Sequence, residues 1–260
     1  MDRYNNYTII ATLFATFILL TVAGCLDSST GIDEDNRAFI NRSEAGSSAA
    51  VFLNDSSFTD LELEIDYMPG QQPTQAALDS LKNFLQQRLN KSKITISAPT
   101  EVQSGGEDAY SAEEIRALEE QHRDHYTEVT SSNTLHAYFL IVDGKYQQQE
   151  NVLGIAYFNT SMAFFGQTMT DVSSGIAAPP KEKIEGTVFQ HEFGHILGLV
   201  GNGTPTQSDH KTAGSAHCTA DGCLMGPSVE TTDFFANIFD GDIPDLDAQC
   251  VTDLQANGGK

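Results

Sequence analysis

Basic residues are scarce in this chain: 14 lysines and arginines stand against 36 aspartates and glutamates, a formal charge of −22. Phosphates would be repelled by such a surface, which excludes a nucleic-acid partner and docking of the globular part onto an anionic membrane. Internal repeats and a second break in composition are also missing. One domain over residues 51–260, long enough for a sizeable core, is therefore expected. Cysteine is limited to 4 residues in 260, with no Cys-x-x-Cys among them.

The first 24 residues read as a targeting segment, with Arg3 ahead of an apolar core over 8–23. Val22-Ala23-Gly24-Cys25 resembles the lipobox of prokaryotic lipoproteins, which implies cleavage before Cys25, lipidation of its thiol and export. Attachment to the cell membrane would then run through that lipid alone, with the domain outside the cytoplasm. A single membrane-spanning anchor gives the same topology. Residues 25–50 are rich in Ser, Asp, Asn and Gly and read as a flexible tether, because they offer too little apolar surface to offset the entropy of ordering.

Residues 61–67 alternate apolar and acidic side chains and predict a strand with one buried face. A helical stripe over 76–89 and a short strand at 94–96 complete a β-α-β unit. Ser111 opens a polar helix reaching about His125, and 136–142 is a near-continuous apolar run suited to a strand buried on both faces. His122, His125 and His136 read as solvated or strand-end residues rather than ligands. Two short apolar segments, 152–158 and 162–165, should include a sheet edge able to hydrogen-bond an extended peptide. Apolar stretches at 231–239 and 246–254 suit closing helices. The fold class is α/β (α+β), a mixed twisted sheet with helices.

The most informative run is His191-Glu192-Phe193-Gly194-His195, inside a helix predicted over 181–199 that Gly198 lets the chain leave. Histidines four apart share a helix face and can grip one metal ion, and a carboxylate beside the first can serve as general base without binding the ion. A catalytic zinc takes three protein ligands and keeps one position open, so a third ligand is needed downstream. His210 and His217 are the histidines available, and Asp209 or Glu230 could supply an oxygen instead. In an exported protein two thiols tend to oxidise. Cys218 with Cys223 would close a short loop, leaving Cys250 odd, although other pairings stay open.

His217-Cys218-Thr219-Ala220-Asp221-Gly222-Cys223-Leu224-Met225 resembles the metzincin metallopeptidases, and in particular their archaemetzincin branch. There a zinc histidine precedes a cysteine, four residues, a second cysteine, one residue and the methionine of the Met-turn. The His-Glu-x-x-His-x-x-Gly helix of that family is matched by His191, Glu192, His195 and Gly198. The resemblance spans residues 181–226. It implies a sheet with an antiparallel edge strand that receives substrate, an active-site helix, Met225 beneath the metal, and C-terminal helices.

The position that normally holds the third histidine is Gly201 here, so an insertion of about sixteen residues would carry the motif to His217. His217 is thus preferred and His210 is its rival. The family's second zinc, held by four cysteines, is not expected, because only Cys250 follows the motif. The resemblance and the helix motif together imply a zinc-dependent peptidase with one catalytic zinc and Glu192 as base, acting on peptide or protein substrates. The alternative is a zinc-binding surface lipoprotein without turnover. No cysteine suited to blocking the zinc lies upstream, since Cys25 is expected to be lipidated.

Overall fold

Alternation over 61–67 does produce a strand, β1 (Asp60–Tyr67), whose Leu61, Leu63 and Ile65 enter the main core. In the computed structural model, which describes residues 40–128, 132–174, 178–235 and 242–260, β1 lies within a mixed sheet. The lipobox and Cys25 lie outside the described residues. Helix α2 (Gln75–Arg88), capped by the Thr74 side chain, returns the chain to β2 (Lys93–Ile96) beside β1. A shorter helix, α1 (Ala49–Leu53), precedes this unit.

The apolar run at 136–142 becomes β5 (Thr134–Val142), the centre of the sheet. Its odd-numbered residues Leu135, Ala137, Phe139 and Ile141 join the main core, and Tyr138, Leu140 and Val142 join a second apolar cluster on the opposite face. Burial on both faces is why the sequence there shows no alternation. The order is β2, β1, β5, β8 (Ser161–Phe165), β7 (Gly154–Phe158), with β3 (Thr100–Glu101) also on β1. All neighbours are parallel except the β7–β8 hairpin, which makes β7 the antiparallel edge. A small pair, β4 (Ala109–Tyr110) and β6 (Lys145–Tyr146), stands apart.

Two expectations are corrected. The acidic side of β1 is not solvated: Glu64 and Asp66 are buried beneath the layer holding α3 (Ala112–His122). That layer supplies their partners, since Asp124 and His125 donate backbone N–H groups to Glu64 at 2.7 and 2.9 Å. Tyr138 donates to Asp66 at 2.8 Å. Residues 40–50, expected within the tether, instead pack onto the domain. Asn159 donates to the Ile40 carbonyl at 2.9 Å and accepts from the Ser48 N–H at 3.0 Å. A side chain at Gly46 would collide with the Asn202 carbonyl, so this segment lies flush against the turn after the metal-motif helix.

That helix, α5 (Lys181–Ile196), follows α4 (Gly166–Ser173) and starts at Pro180. Every residue from Ile184 to Ile196 is buried. Phe189 and Phe193 pack on Phe139 at ring separations of 5.4 and 6.3 Å, seating α5 on the central strand. Glu185 accepts from the Thr74 N–H at 2.8 Å and Gln190 donates to Ser80 at 2.9 Å, so both meet partners in or capping α2. The chain leaves through Gly198, at φ 74°, one residue beyond the C-cap Leu197. Of the closing helices, α6 (Thr232–Phe235) is short and α7 (Ala248–Ala256) ends the fold. No helix among the described residues is long and apolar enough to cross a membrane.

Burial raises the Asp66 carboxyl from its ordinary range to about 6, against the lowering effect of the Tyr138 hydrogen bond. The unfolded chain ionises near 3.8, so stability is lost as pH rises from there to about 6 and stays lost above. Asp66→Asn should therefore raise the urea midpoint more at pH 7 than near pH 3.5, and equal gains at both would remove Asp66 from the pH response.

Candidate metal centre

His191 and His195 lie one turn apart on α5, and their orientation is set by a carbonyl. The Leu224 oxygen lies 2.7 Å from His191 Nδ1 and can only accept, so Nδ1 carries the proton and Nε2 is left as a bare lone pair. His195 Nε2 stands 3.1 Å from that atom. His217 completes the group, its ring 5.4 Å from that of His191 and 5.1 Å from that of His195.

His217 reaches the other histidines on a loop that folds back after α5. Residues 210–219 double back as a hairpin: Thr212 N–H donates to the His217 carbonyl at 2.7 Å, and Thr219 N–H to the His210 carbonyl at 2.9 Å. Cys218 N–H then donates to the Met225 carbonyl at 2.7 Å, tying the hairpin to the next turn. The same hairpin turns His210 away from the other histidines. Its Nε2 lies 3.2 Å from Asp253 Oδ2 on α7, and Ser208 is at its Nδ1, so its ring is set against the last helix. His210 is thereby corrected as a candidate ligand. Asp209 is exposed, and His125 stacks on His136 far from any such cage.

Glu230 is the fourth member, its Oε2 3.6 Å from His217 Nε2 and 3.8 Å from His191 Nε2. One donor atom from each of His191, His195, His217 and Glu230 lies within 4.8 Å of all the others. Glu192 is buried beside them, close against Gly154: a Cβ there would come within 2.9 Å of its Cγ. Glu192 Oε1 and His217 Nε2 are buried without a hydrogen-bond partner. Orphaned buried polar atoms are costly, and a divalent cation among the bare imidazole nitrogens fits His217 Nε2 and leaves Glu192 facing whatever else the ion binds.

Electrostatics agree with that assignment. Burial drives His191 down to about 4, opposed by the Leu224 hydrogen bond, and holds His195 well below its ordinary value. Both are therefore neutral and ligand-ready at neutral pH. Burial, reinforced by the nearby Glu230 charge, pushes the Glu192 carboxyl well up, toward the range in which a carboxylate exchanges protons. Burial works in the same direction on Glu230, but the imidazoles of His217 and His191 beside it outweigh burial and hold its pKa below the usual value.

Met225 sits against α5 at Gly194, where any side chain would strike its sulfur. Leu224 and Met225 thus serve the site together, one through its carbonyl and one through its thioether. Behind them lies a second cluster. The Cys218–Cys223 disulfide expected from sequence is not formed; Cys218, Cys223 and Cys250 are all free. Cys250 comes in from α7 to place its sulfur 3.7 Å from that of Cys223, and Asp247 Oδ1 is 3.6 Å from both Cys218 and Cys223. The three thiols and this carboxylate surround one point.

Backbone N–H groups of Ala220 and Met225 donate to the sulfurs of Cys218 and Cys223, each at 3.4 Å. The Cys250 hydrogen bond holds Cys223 down to about 6, helped by the Asp247 and Met225 N–H groups, while burial pushes Cys218 up to about 11. Converging sulfurs with N–H donors, which give up their protons when a metal binds, are the chemistry of a soft-metal site. Sequence reading missed it because one donor is not sulfur, although Asp247-Ala248-Gln249-Cys250 has the spacing of a Cys-x-x-Cys pair.

No protein-family model matches the chain, and no curated protein is significantly similar to it. Among solved structures it is similar to archaemetzincin from Methanopyrus kandleri, with 17% identity and a TM-score of 0.47 over 78% of this chain and 96% of that one. A likeness at that level says nothing by itself about chemistry.

Gly194→Ala tests the packing under the histidines. Helix propensity alone would make alanine more stable by about 1 kcal/mol, whereas the Met225 collision should destabilise by about 1–3 kcal/mol. Urea unfolding should show a net loss, partly recovered in a Gly194→Ala, Met225→Ala double variant.

Proposed function

We propose that the protein is a zinc-dependent peptidase, and the observation that carries this is the convergence of three imidazole nitrogens with the buried Glu192. His191, His195 and His217 would hold the ion. A zinc ion there would lower the pKa of a water toward neutrality and polarise a peptide carbonyl. Glu192, beside the ligands and raised toward proton-exchanging range, takes the proton of the attacking water and returns it to the leaving amine.

Substrate binding falls to β7. It is the free edge of the sheet and its first residue, Gly154, lies against Glu192, so a peptide hydrogen-bonded to that edge would run past the base. The Cys218, Cys223, Cys250 and Asp247 cluster would hold a second, structural metal that fastens α7 to the turn under the site. In keeping with the lipobox-like sequence, we place the domain outside the cytoplasm, anchored by lipid on Cys25. A second reading, zinc binding without turnover, is favoured by Glu230 standing where an open position would be.

Elemental analysis of the purified chain should find two zinc ions, falling to one in His195→Ala and to one in Cys250→Ser. Chelation should abolish peptide hydrolysis. Glu192→Gln should keep both ions yet lower kcat/KM at least about a hundredfold. Undiminished turnover in Glu192→Gln removes it as the base.

A further inference from the structure

We propose that Glu230 is a displaceable fourth ligand, which closes the catalytic metal in the resting protein and gives up its place when substrate arrives. This rests on the metal reading above and goes beyond it. Donor separations carry it first. Nitrogen and oxygen donors bound to zinc at about 2.0–2.1 Å in a tetrahedron stand about 3.3 Å from each other. The separations here are 3.1 Å from His195 to His191, 3.6 Å from Glu230 to His217 and 3.8 Å from Glu230 to His191. The other three pairs also lie within 4.8 Å, so four donors surround one point, and Glu230 stands at the fourth side of the three histidines.

The corner held by Glu230 is the one facing solvent. Its side chain is 26% exposed, against 0% for His191 and 12% for His217. Its main chain is fixed: the carbonyl accepts from Leu153 N–H at 2.8 Å, and Thr231 bridges to Val152. Opening therefore needs only rotation of the Glu230 side chain, with no backbone movement. That same pinning joins Glu230 to the residues that lead into β7. A peptide adding to the edge strand would arrive beside this carboxylate and compete with it, so occupancy of the edge and opening of the metal are coupled. Water would be kept from the ion until a substrate is in place.

The test uses the full chain loaded with cobalt(II), with acetohydroxamate as probe. In the wild type, cobalt should relax solvent protons weakly, because no exchangeable water is bound. Glu230→Ala should gain a water and relax them several-fold more strongly. Glu230→Gln, which keeps the side-chain shape, should move in the same direction. Acetohydroxamate should change the wild-type cobalt spectrum and bind Glu230→Ala about tenfold more tightly, there being no carboxylate to displace.

Equal solvent relaxation in wild type and both variants overturns the proposal, since Glu230 is then no ligand. A wild-type spectrum that acetohydroxamate cannot alter, while it alters that of the variants, also overturns it: Glu230 is then fixed, and the site is closed for good. Cobalt content in the wild type no higher than in His195→Ala sinks the histidine metal site itself, and this proposal with it.

Discussion

A helix buried on every side must find a partner for each polar group it carries, and α5 is such a helix over its last three turns. Glu185 and Gln190 meet Thr74 and Ser80. The next polar residues, His191, Glu192 and His195, face one another, His217 and Glu230, with the Leu224 carbonyl on His191 and the Ala156 backbone on Glu192 as their main-chain partners. That single hydrogen bond settles which imidazole nitrogen is protonated and so aims the lone pair inward. Burial thus fits the group to a cation: His217 Nε2, which lacks a partner, and His191 Nε2, freed by the Leu224 bond, turn lone pairs toward one point.

The surroundings are organised to hold that geometry. Phe139, Phe189 and Phe193 fix α5 to the central strand, and Gly194 and Gly154 let Met225 and Glu192 approach more closely than any side chain at those positions would allow. The thiol cluster lies at the base of the same turn. Cys218 follows His217 and Met225 follows Leu224, so whatever holds Cys218, Cys223, Asp247 and Cys250 together also holds one ligand and the carbonyl that orients another. The thiol cluster and the histidine cluster therefore share one stretch of chain.

Much of the architecture was legible in the sequence because one-dimensional period reports burial. Strand β5 announced itself by an unbroken apolar run, α2 by its stripe and β7–β8 by two short apolar segments about a turn. Strand β1 misled in part: its alternation suggested a wet acidic face, but α3 and the Asp124–His125 backbone cover Glu64 and Asp66. Residues 40–50 misled for a related reason: beside the few apolar contacts of Ile40, Ala45 and Ala49, they are anchored by hydrogen bonds to Asn159, more than a hundred residues away. Composition registers hydrophobicity and is blind to such pairings.

By itself the sequence determined the pair His191 and His195 with Glu192 between them, because four-residue spacing on a helix has only one geometric outcome. It could only rank His217 against His210, and it paired Cys218 with Cys223 across a short loop. Tertiary structure decided these. Closure of the 210–219 hairpin turns one histidine to α5 and sends the other to Asp253. Docking of α7 brings Cys250 and Asp247 to the two thiols, and the main-chain bond from Leu153 stations Glu230 over the histidines. Helical repeat is local and survives in the order of residues. Which distant segments meet is settled by how the whole core packs, and no local pattern encodes it.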